Sequence, residues 1–286
     1  MIVSLWGTRG SVASPGPDTV RYGGNTSCVS VEGREGTLVV LDAGTGIRVL
    51  GQKIPEELTQ VHILLTHLHM DHVQGLPFFN PLLRPGVQVH IWGPASTTLS
   101  LDARLHRYLS PPLFPVRARD LLSELHFHQL TQQKIEVGEF QVMAQMIMHP
   151  NPTVGYRIQC GELSVTYLPD HEPALSSPKW PGDKEWTSGY DLAAGSDLLI
   201  HDSQYTNEEY QQRYGFGHSS IEQAMQFANL CEVKEFVPFH HDPAHSDALL
   251  DQVIEQAIQT IQPKLRVTPG KEGLVIQLTE KACPPN

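Results

Sequence analysis

Residues 66–72 read THLHMDH and follow directly on the apolar run Ile63–Leu65. His67, His69, Asp71 and His72 therefore fall within six residues of one another. Histidine is a mediocre helix former, and a carboxylate is costly to bury. A fold that keeps these groups together needs a compensating positive charge. A divalent cation supplies it, because neutral imidazoles and a carboxylate are the usual nitrogen and oxygen ligands of zinc and related ions. Placed just after a strand, the run lies on a loop from which side chains can diverge toward two neighbouring ions. His67 and His69 would serve one, Asp71 and His72 the other.

The frame that carries this loop is also readable. Strand-like runs occur at Ile2–Trp6, Thr37–Leu41, Val61–Leu65, Val87–Trp92, Phe140–Met148, Ser164–Leu168, Leu198–His201 and Glu235–Phe239. Helical patterns alternate with many of them. From Ser246 to Ile261 the residues Leu249, Leu250, Val253, Ile254, Ala257 and Ile258 share one stripe, with Ser246 as N-cap. Ser219 and Glu222 have the spacing of a capping box. An apolar fraction of 40% in 286 residues is enough for a large core. The expectation is an α/β layered fold, two sheets between helical layers, in a single domain over residues 1–286. The segments 98–125 and 173–190 read as insertions on the rim of the site.

A net charge of −11 is unfavourable for a protein that holds polyanions, so a nucleic-acid partner is not expected. Cys28, Cys160, Cys231 and Cys283 are far apart and form no CxxC pair, which suggests reduced thiols. MIVSLWGTRGS opens like a strand and a turn, without a signal-peptide core or a membrane anchor. A cytoplasmic protein is the expectation.

The HxHxDH run, with LDAGTG before it and MHPNPTVGYRI, YLPDHE and VPFHHDP after it, resembles the metallo-β-lactamase superfamily. That resemblance covers essentially the whole chain and implies a four-layer αββα sandwich with a binuclear site at one edge. It implies Asp42 behind the site orienting a ligand, His149 as third ligand of the first metal, Asp170 as the bridge, and His240 closing the second. His241 is a rival for that last position. Read alone, Asp42 could be a turn residue, Asp170 a cap, and Asp202 a second candidate for the bridge. Gly44 and Gly46 hint at a nucleotide-binding glycine pattern, but Gly51 falls two places late.

Diiron oxidoreductases of this fold carry HxExDH, so His69 favours hydrolysis. LLIHDSQYT and YGFGHSS supply Asp202 and His218, a pair that is similar to the acid-and-histidine arrangement of the ribonuclease Z and phosphodiesterase branch. Expulsion of an alkoxide gains from such a proton donor. The resemblance implies a metal-bridging hydroxide as nucleophile, with Asp71, His218 and Asp202 in the catalytic apparatus. Ribonuclease Z enzymes reach tRNA with a long arm between the third-ligand histidine and the bridging aspartate. His149 and Asp170 are separated only by a strand pair and its turn. The N-terminal GTRGS and YGGNTSC stretches look more like small-molecule phosphodiesterases, including those that open cyclic nucleotides.

The reading is a binuclear phosphodiesterase for a small cyclic nucleotide. It would use two divalent ions, Zn²⁺ first and Mn²⁺ or Fe²⁺ next, and form a homodimer by analogy. The alternatives are tRNA 3′ processing, ester, thioester or lactone hydrolysis, and a non-catalytic metal sensor. Arg9, Asn25 and Thr26 could meet phosphate, although such residues in Gly-flanked turns more often make local hydrogen bonds. Trp180, Trp186, Tyr190 and Tyr205 are candidates for stacking on a base.

Overall fold

Val39, Val40 and Leu41 are consecutive, yet they do not share a core. Successive strand side chains point to opposite faces. Val39 and Leu41 join one apolar cluster, while Val40 joins another. The computed structural model describes residues 1–280 apart from 175, 176, 178, 179 and 181. The expected Cys283 and part of the 173–190 segment lie outside the described residues.

In chain order the strands are β1 (Ile2–Gly7), β2 (Cys28–Glu32), β3 (Leu38–Leu41), β4 (Gln60–Leu64), β5 (Gln88–Pro94), β6 (Glu124–Leu130) and β7 (Gln133–Val137). They continue with β8 (Phe140–Met146), β9 (Val154–Cys160), β10 (Leu163–Leu168), β11 (Leu198–Asp202), β12 (Glu235–Phe239), β13 (Arg266–Val267) and β14 (Val275–Gln277). One sheet runs β14-β1-β2-β3-β4-β5-β6 and the other β13-β12-β11-β10-β9-β8-β7. β3 to β6 are parallel, as are β10 to β13.

Leu41, Leu64, Tyr156, Tyr167, Ile200 and Phe239 fill the space between the sheets. Ile47, Leu50, Leu101 and Leu105, on the helices Ile47–Gly51 and Leu101–Tyr108, cover the outer face of the first sheet. Phe227, Leu250 and Ile254, on the helices Ile221–Leu230 and Asp247–Ile261, cover the second. The result is an αββα sandwich. Parallel strands covered on both faces read as continuous apolar runs, which is why β11 and β12 were visible in the sequence. No helix among the described residues is long and apolar enough to cross a membrane.

Ser246 caps its helix as expected, its side chain accepting from Leu249 N at 3.2 Å. The Ser219–Glu222 capping box is not formed. Ser220 is the cap, accepting from Gln223 N, because the Ser219 hydroxyl is engaged in donating to His171 O at 2.6 Å. The segment 98–125 contributes the helix Leu101–Tyr108 and a short 3-10 turn, Ala118–Asp120.

The strand β6 packs Leu125 and Phe127 against the helix-covered core and carries His126 and His128 on its other face, so its sequence lacks a long apolar run. His62, His90 and His126 lie in register across β4, β5 and β6, and Trp92 pairs with His128 one row on. Ring centroids are 4.7 Å apart for His62 and His90, 4.6 Å for His90 and His126, and 3.9 Å for Trp92 and His128. Burial, and then the neighbouring His90 and His128, push His62 down to about 4. In an unfolded chain such a ring titrates near 6.5. As pH falls below that value the unfolded chain takes up a proton that the folded chain refuses, so stability present above pH 6.5 is lost on the way to pH 4. Urea unfolding is expected to show a loss of up to about 3 kcal/mol from His62 over that window. His62→Gln should make the decline shallower; an unchanged pH slope would refute the assignment.

Candidate metal centre

β4 delivers its chain into the loop Thr66–His69, and a short helix, Met70–Val73, carries Asp71 and His72. Asp42 directly follows β3 and His240 directly follows β12, and both take positive φ, 58° in each case. That conformation costs non-glycine residues on the order of 1 kcal/mol or more. Here it turns each side chain back over the strand ends. Gly10 in the GTRGS turn lets the chain pass the His240 ring, since a Cβ there would lie 2.4 Å from its Nδ1.

Among the described residues four overlapping groups of ligand-type atoms result; His149, Asp170 and His218 form one, Asp202, His218 and His240 another, and the remaining two share no residue. Of these two, His67, His69 and His149 form one; Asp71, His72, Asp170 and His240 form the other. Asp170 Oδ1 stands 3.7 Å from His67 Nε2, 3.8 Å from His149 Nε2 and 3.4 Å from His240 Nε2, while Oδ2 is 2.9 Å from His72 Nε2. One carboxylate thus touches both groups. Within them, His69 Nδ1 is 3.4 Å from His149 Nε2, His72 Nε2 is 3.3 Å from His240 Nε2, and His240 Nε2 is 3.1 Å from Asp71 Oδ2. Ligands bound tetrahedrally at zinc distances lie about 3.3 Å from one another. The observed separations match edges of such a polyhedron.

Electrostatics point the same way. Burial first, and then His72, hold His67 well below its ordinary value, and burial brings His149 down to about 4. Both rings are neutral at pH 7, as ligation requires. His67 Nε2 is buried without a hydrogen-bond partner. Burial opposes charge on His72, yet Asp170, Asp71 and Asp42 outweigh it and raise its affinity for a proton. Three carboxylates around one ring call for a cation. The residues present fit divalent metal.

The rings are held from behind. His72 Nδ1–H donates to Asp42 Oδ2 at 2.8 Å, His149 Nδ1–H to Gly217 O at 2.8 Å, and His240 Nδ1–H to Gln204 Oε1 at 3.0 Å. Each bond leaves Nε2 free to face the centre. Asp42 also accepts from Thr66 N at 2.8 Å and from the Tyr167 hydroxyl at 3.0 Å. Asp71 Oδ2 accepts from Ser11 N at 2.8 Å. Asp42→Asn removes the acceptor that fixes His72, and about 10- to 100-fold weaker metal binding is expected. Competition with a chromophoric chelator measures this; unaltered affinity would mean that His72 is fixed by other contacts.

Beside this cluster His218 Nδ1–H donates to Asp202 Oδ2 at 2.6 Å, and the same ring nitrogen lies 4.0 Å from Asp170 Oδ1. Burial works against charge on His218, but Asp202 more than reverses it and raises the ring to about 9. Asp202 is fixed in turn by Gln204 N at 3.0 Å and His171 N at 3.1 Å.

The family model of the beta-lactamase superfamily domain matches residues 37–241. The chain belongs to this superfamily. A ribonuclease Z of Anoxybacillus flavithermus is 25% identical over 245 residues, covering 71% of this chain and 75% of the relative. A metallo-beta-lactamase fold protein from Bacillus subtilis superposes with a TM-score of 0.70 at 18% identity, over 96% of this chain and 98% of that one. The short form of human tRNase Z gives 0.69 at 20% identity, over 98% and 100%. The likeness within the superfamily is to the ribonuclease Z branch.

For a superfamily member the remaining sequence candidates fall as follows. His240 is in the cluster; its rival His241 donates from Nε2 to Gly270 O at 2.9 Å. Arg9 is fully buried and donates to Gly23 O, Asp242 O and His245 O, so it ties loops together and does not meet phosphate. Asn25 bonds Glu272, and Thr26 bonds Thr45. Tyr205 is buried against the edge of His218, with ring centroids 5.8 Å apart. Trp186 is 69% exposed. Thr66, Tyr167, Gln204 and Ser11 had not been singled out, because their partners are remote in sequence.

Proposed function

We propose that this superfamily member is a metal-dependent phosphodiesterase acting on a small, cyclic nucleotide. The observation that carries the reading is the His218–Asp202 pair set against the shared carboxylate Asp170. His67, His69 and His149 would hold one ion, Asp71, His72 and His240 the other, and Asp170 both. Zn²⁺ suits this nitrogen-rich set best, and Mn²⁺ or Fe²⁺ fit the same donor types. Such ions supply activated water and neutralise charge on phosphoryl oxygens. His218 contributes a proton. Its Nδ1–H is committed to Asp202, so Nε2–H is the one available to a departing alkoxide. The elevated affinity for that proton keeps it in place at neutral pH.

A small substrate is supported by two features. The chain between His149 and Asp170 is taken up by the hairpin of β9 and β10, which leaves no length for a protruding arm. The net charge of −11 disfavours long-range attraction of RNA. The second reading, cleavage of precursor tRNA, is favoured by the curated relatives named ribonuclease Z. The purified protein loaded with Zn²⁺ or Mn²⁺ should be assayed on 3′,5′- and 2′,3′-cyclic nucleotides, bis(p-nitrophenyl) phosphate, a lactone panel and precursor tRNA. Cyclic-nucleotide turnover is expected. Cleavage of the tRNA with none of the cyclic nucleotides would favour the second reading, and lactone cleavage alone would reject both. A homodimer, proposed by analogy with the family, is tested by light scattering on the same preparation.

A further inference from the structure

We infer that Glu172 is a positioning residue that sets the proton donor His218, an inference resting on the phosphodiesterase reading above. Glu172 is 1% exposed. Its carboxylate accepts from Gly215 N at 2.8 and 3.0 Å, from Gly217 N at 3.0 Å and from the Tyr210 hydroxyl at 2.9 Å. All these donors are neutral. A carboxylate is costly in such a place unless its lone pairs are used. Here two oxygens receive two backbone N–H groups of one loop together with a hydroxyl. A glutamine would offer one acceptor oxygen in place of two.

Besides Glu172, the loop is held by the bond from His149 to Gly217 O and by Phe216 N donating to Arg213 O at 3.1 Å. Gly215 and Gly217 take φ of 85° and 90°, and the residues flanking and separating them, Tyr214 and Phe216, are 48% and 61% exposed. Side-chain burial therefore fixes this loop poorly. Yet it carries two functional directions. Gly217 O receives His149 Nδ1–H, and His218 follows at once with its bond to Asp202. The other end of the grip is also fixed, since Glu172 N donates to Met148 O at 3.0 Å. Residues 170–172 thus form one hub: Asp170 lies between the two ligand groups, His171 N braces Asp202, and Glu172 anchors the loop of the proton donor. A displacement on the order of 1 Å at a reacting group costs about 10²-fold in rate. Loosening this loop should cost that much where the proton matters.

The test uses full-length, metal-loaded Glu172→Ala, Glu172→Gln, His218→Ala and the Glu172→Ala/His218→Ala double variant. Each is assayed on a cyclic nucleotide and on bis(p-nitrophenyl) phosphate, whose p-nitrophenolate leaves unaided. Metal content and thermal unfolding are measured on each preparation. Glu172→Ala is expected to lose about 10²-fold in kcat on the cyclic nucleotide, to stay within about 10-fold on the activated diester, and to retain its metal. Glu172→Gln, with one oxygen kept, should fall between it and wild type. In the double variant the Glu172 change should add little to the His218 change, because the two act as a unit. Equal losses on both substrates, loss of metal, or full additivity would overturn the inference. Should Glu172→Ala not fold, the leaving-group split in Glu172→Gln decides. If His218→Ala itself shows no split between the substrates, the proton-donor reading fails, and that result is separate from any behaviour of Glu172.

Discussion

Asp170→Ala protein is expected to purify with less than one equivalent of zinc and to turn over at least about 10³-fold more slowly than wild type, a larger effect than the 10- to 100-fold attached to partners behind the ligands. The reason is positional. Asp170 Oδ1 lies within 4 Å of His67, His149 and His240, and Oδ2 lies 2.9 Å from His72, so its loss removes an oxygen from both ligand groups together. Asp170→Asn separates shape from charge, since the amide keeps the volume but offers only one neutral oxygen. It should behave nearly as badly. Metal analysis by mass spectrometry, beside kcat on bis(p-nitrophenyl) phosphate, reads both effects. Two retained equivalents with near-wild-type turnover would remove Asp170 from the centre.

His218→Ala should produce a different pattern: metal intact, turnover of an alkoxide-leaving diester down by about 10²- to 10⁴-fold, and turnover of the nitrophenyl ester much less affected. The pH dependence carries a sign. A proton donor is lost as pH rises through its own titration. Burial pulls His218 down but Asp202 holds it up, to about 9. Asp202→Asn removes that support, so the decline on the alkoxide substrate should begin at lower pH than in wild type. A profile that does not move, or moves upward, would mean that Asp202 does not govern the ring.

How much of this was legible depended on distance along the chain. THLHMDH announced itself because its four functional side chains are neighbours, and β11 and β12 did so because burial on both faces left apolar runs, Leu198–Ile200 and Phe236–Phe239, within them. Asp42, His149, Asp170 and His240 are single residues in unremarkable surroundings. They were placed only through resemblance to a family; the structure brings His149, Asp170 and His240 into the ligand groups and sets Asp42 behind His72. β6 was missed because Leu125 and Phe127 mark only one of its faces, while the other carries histidines stacked on a tryptophan and on another histidine. The helix cap shifted by one residue because the Ser219 hydroxyl answers to His171, far away in sequence. Glu172 illustrates the same limit. It lies two places after Asp170 in PDHE, but its value depends on a loop 43 to 45 residues later. Arg9 makes the kind of backbone hydrogen bonds that its Gly-flanked turn favours over contact with phosphate.

The ligand groups draw on both sheets. His67 to His72 follow the first, whereas His149, Asp170 and His240 follow strands of the second. During synthesis the set is incomplete until residue 240 has emerged and the two halves have come together. Partial sets bind weakly, and a preformed site rarely exists before folding. Tight metal binding is therefore expected only once both sheets have formed and packed together. The metal the chain carries is then chosen by the ion pool of the compartment where folding finishes, and expression in a cell starved of zinc or flooded with manganese should yield protein with the same fold and a different cargo.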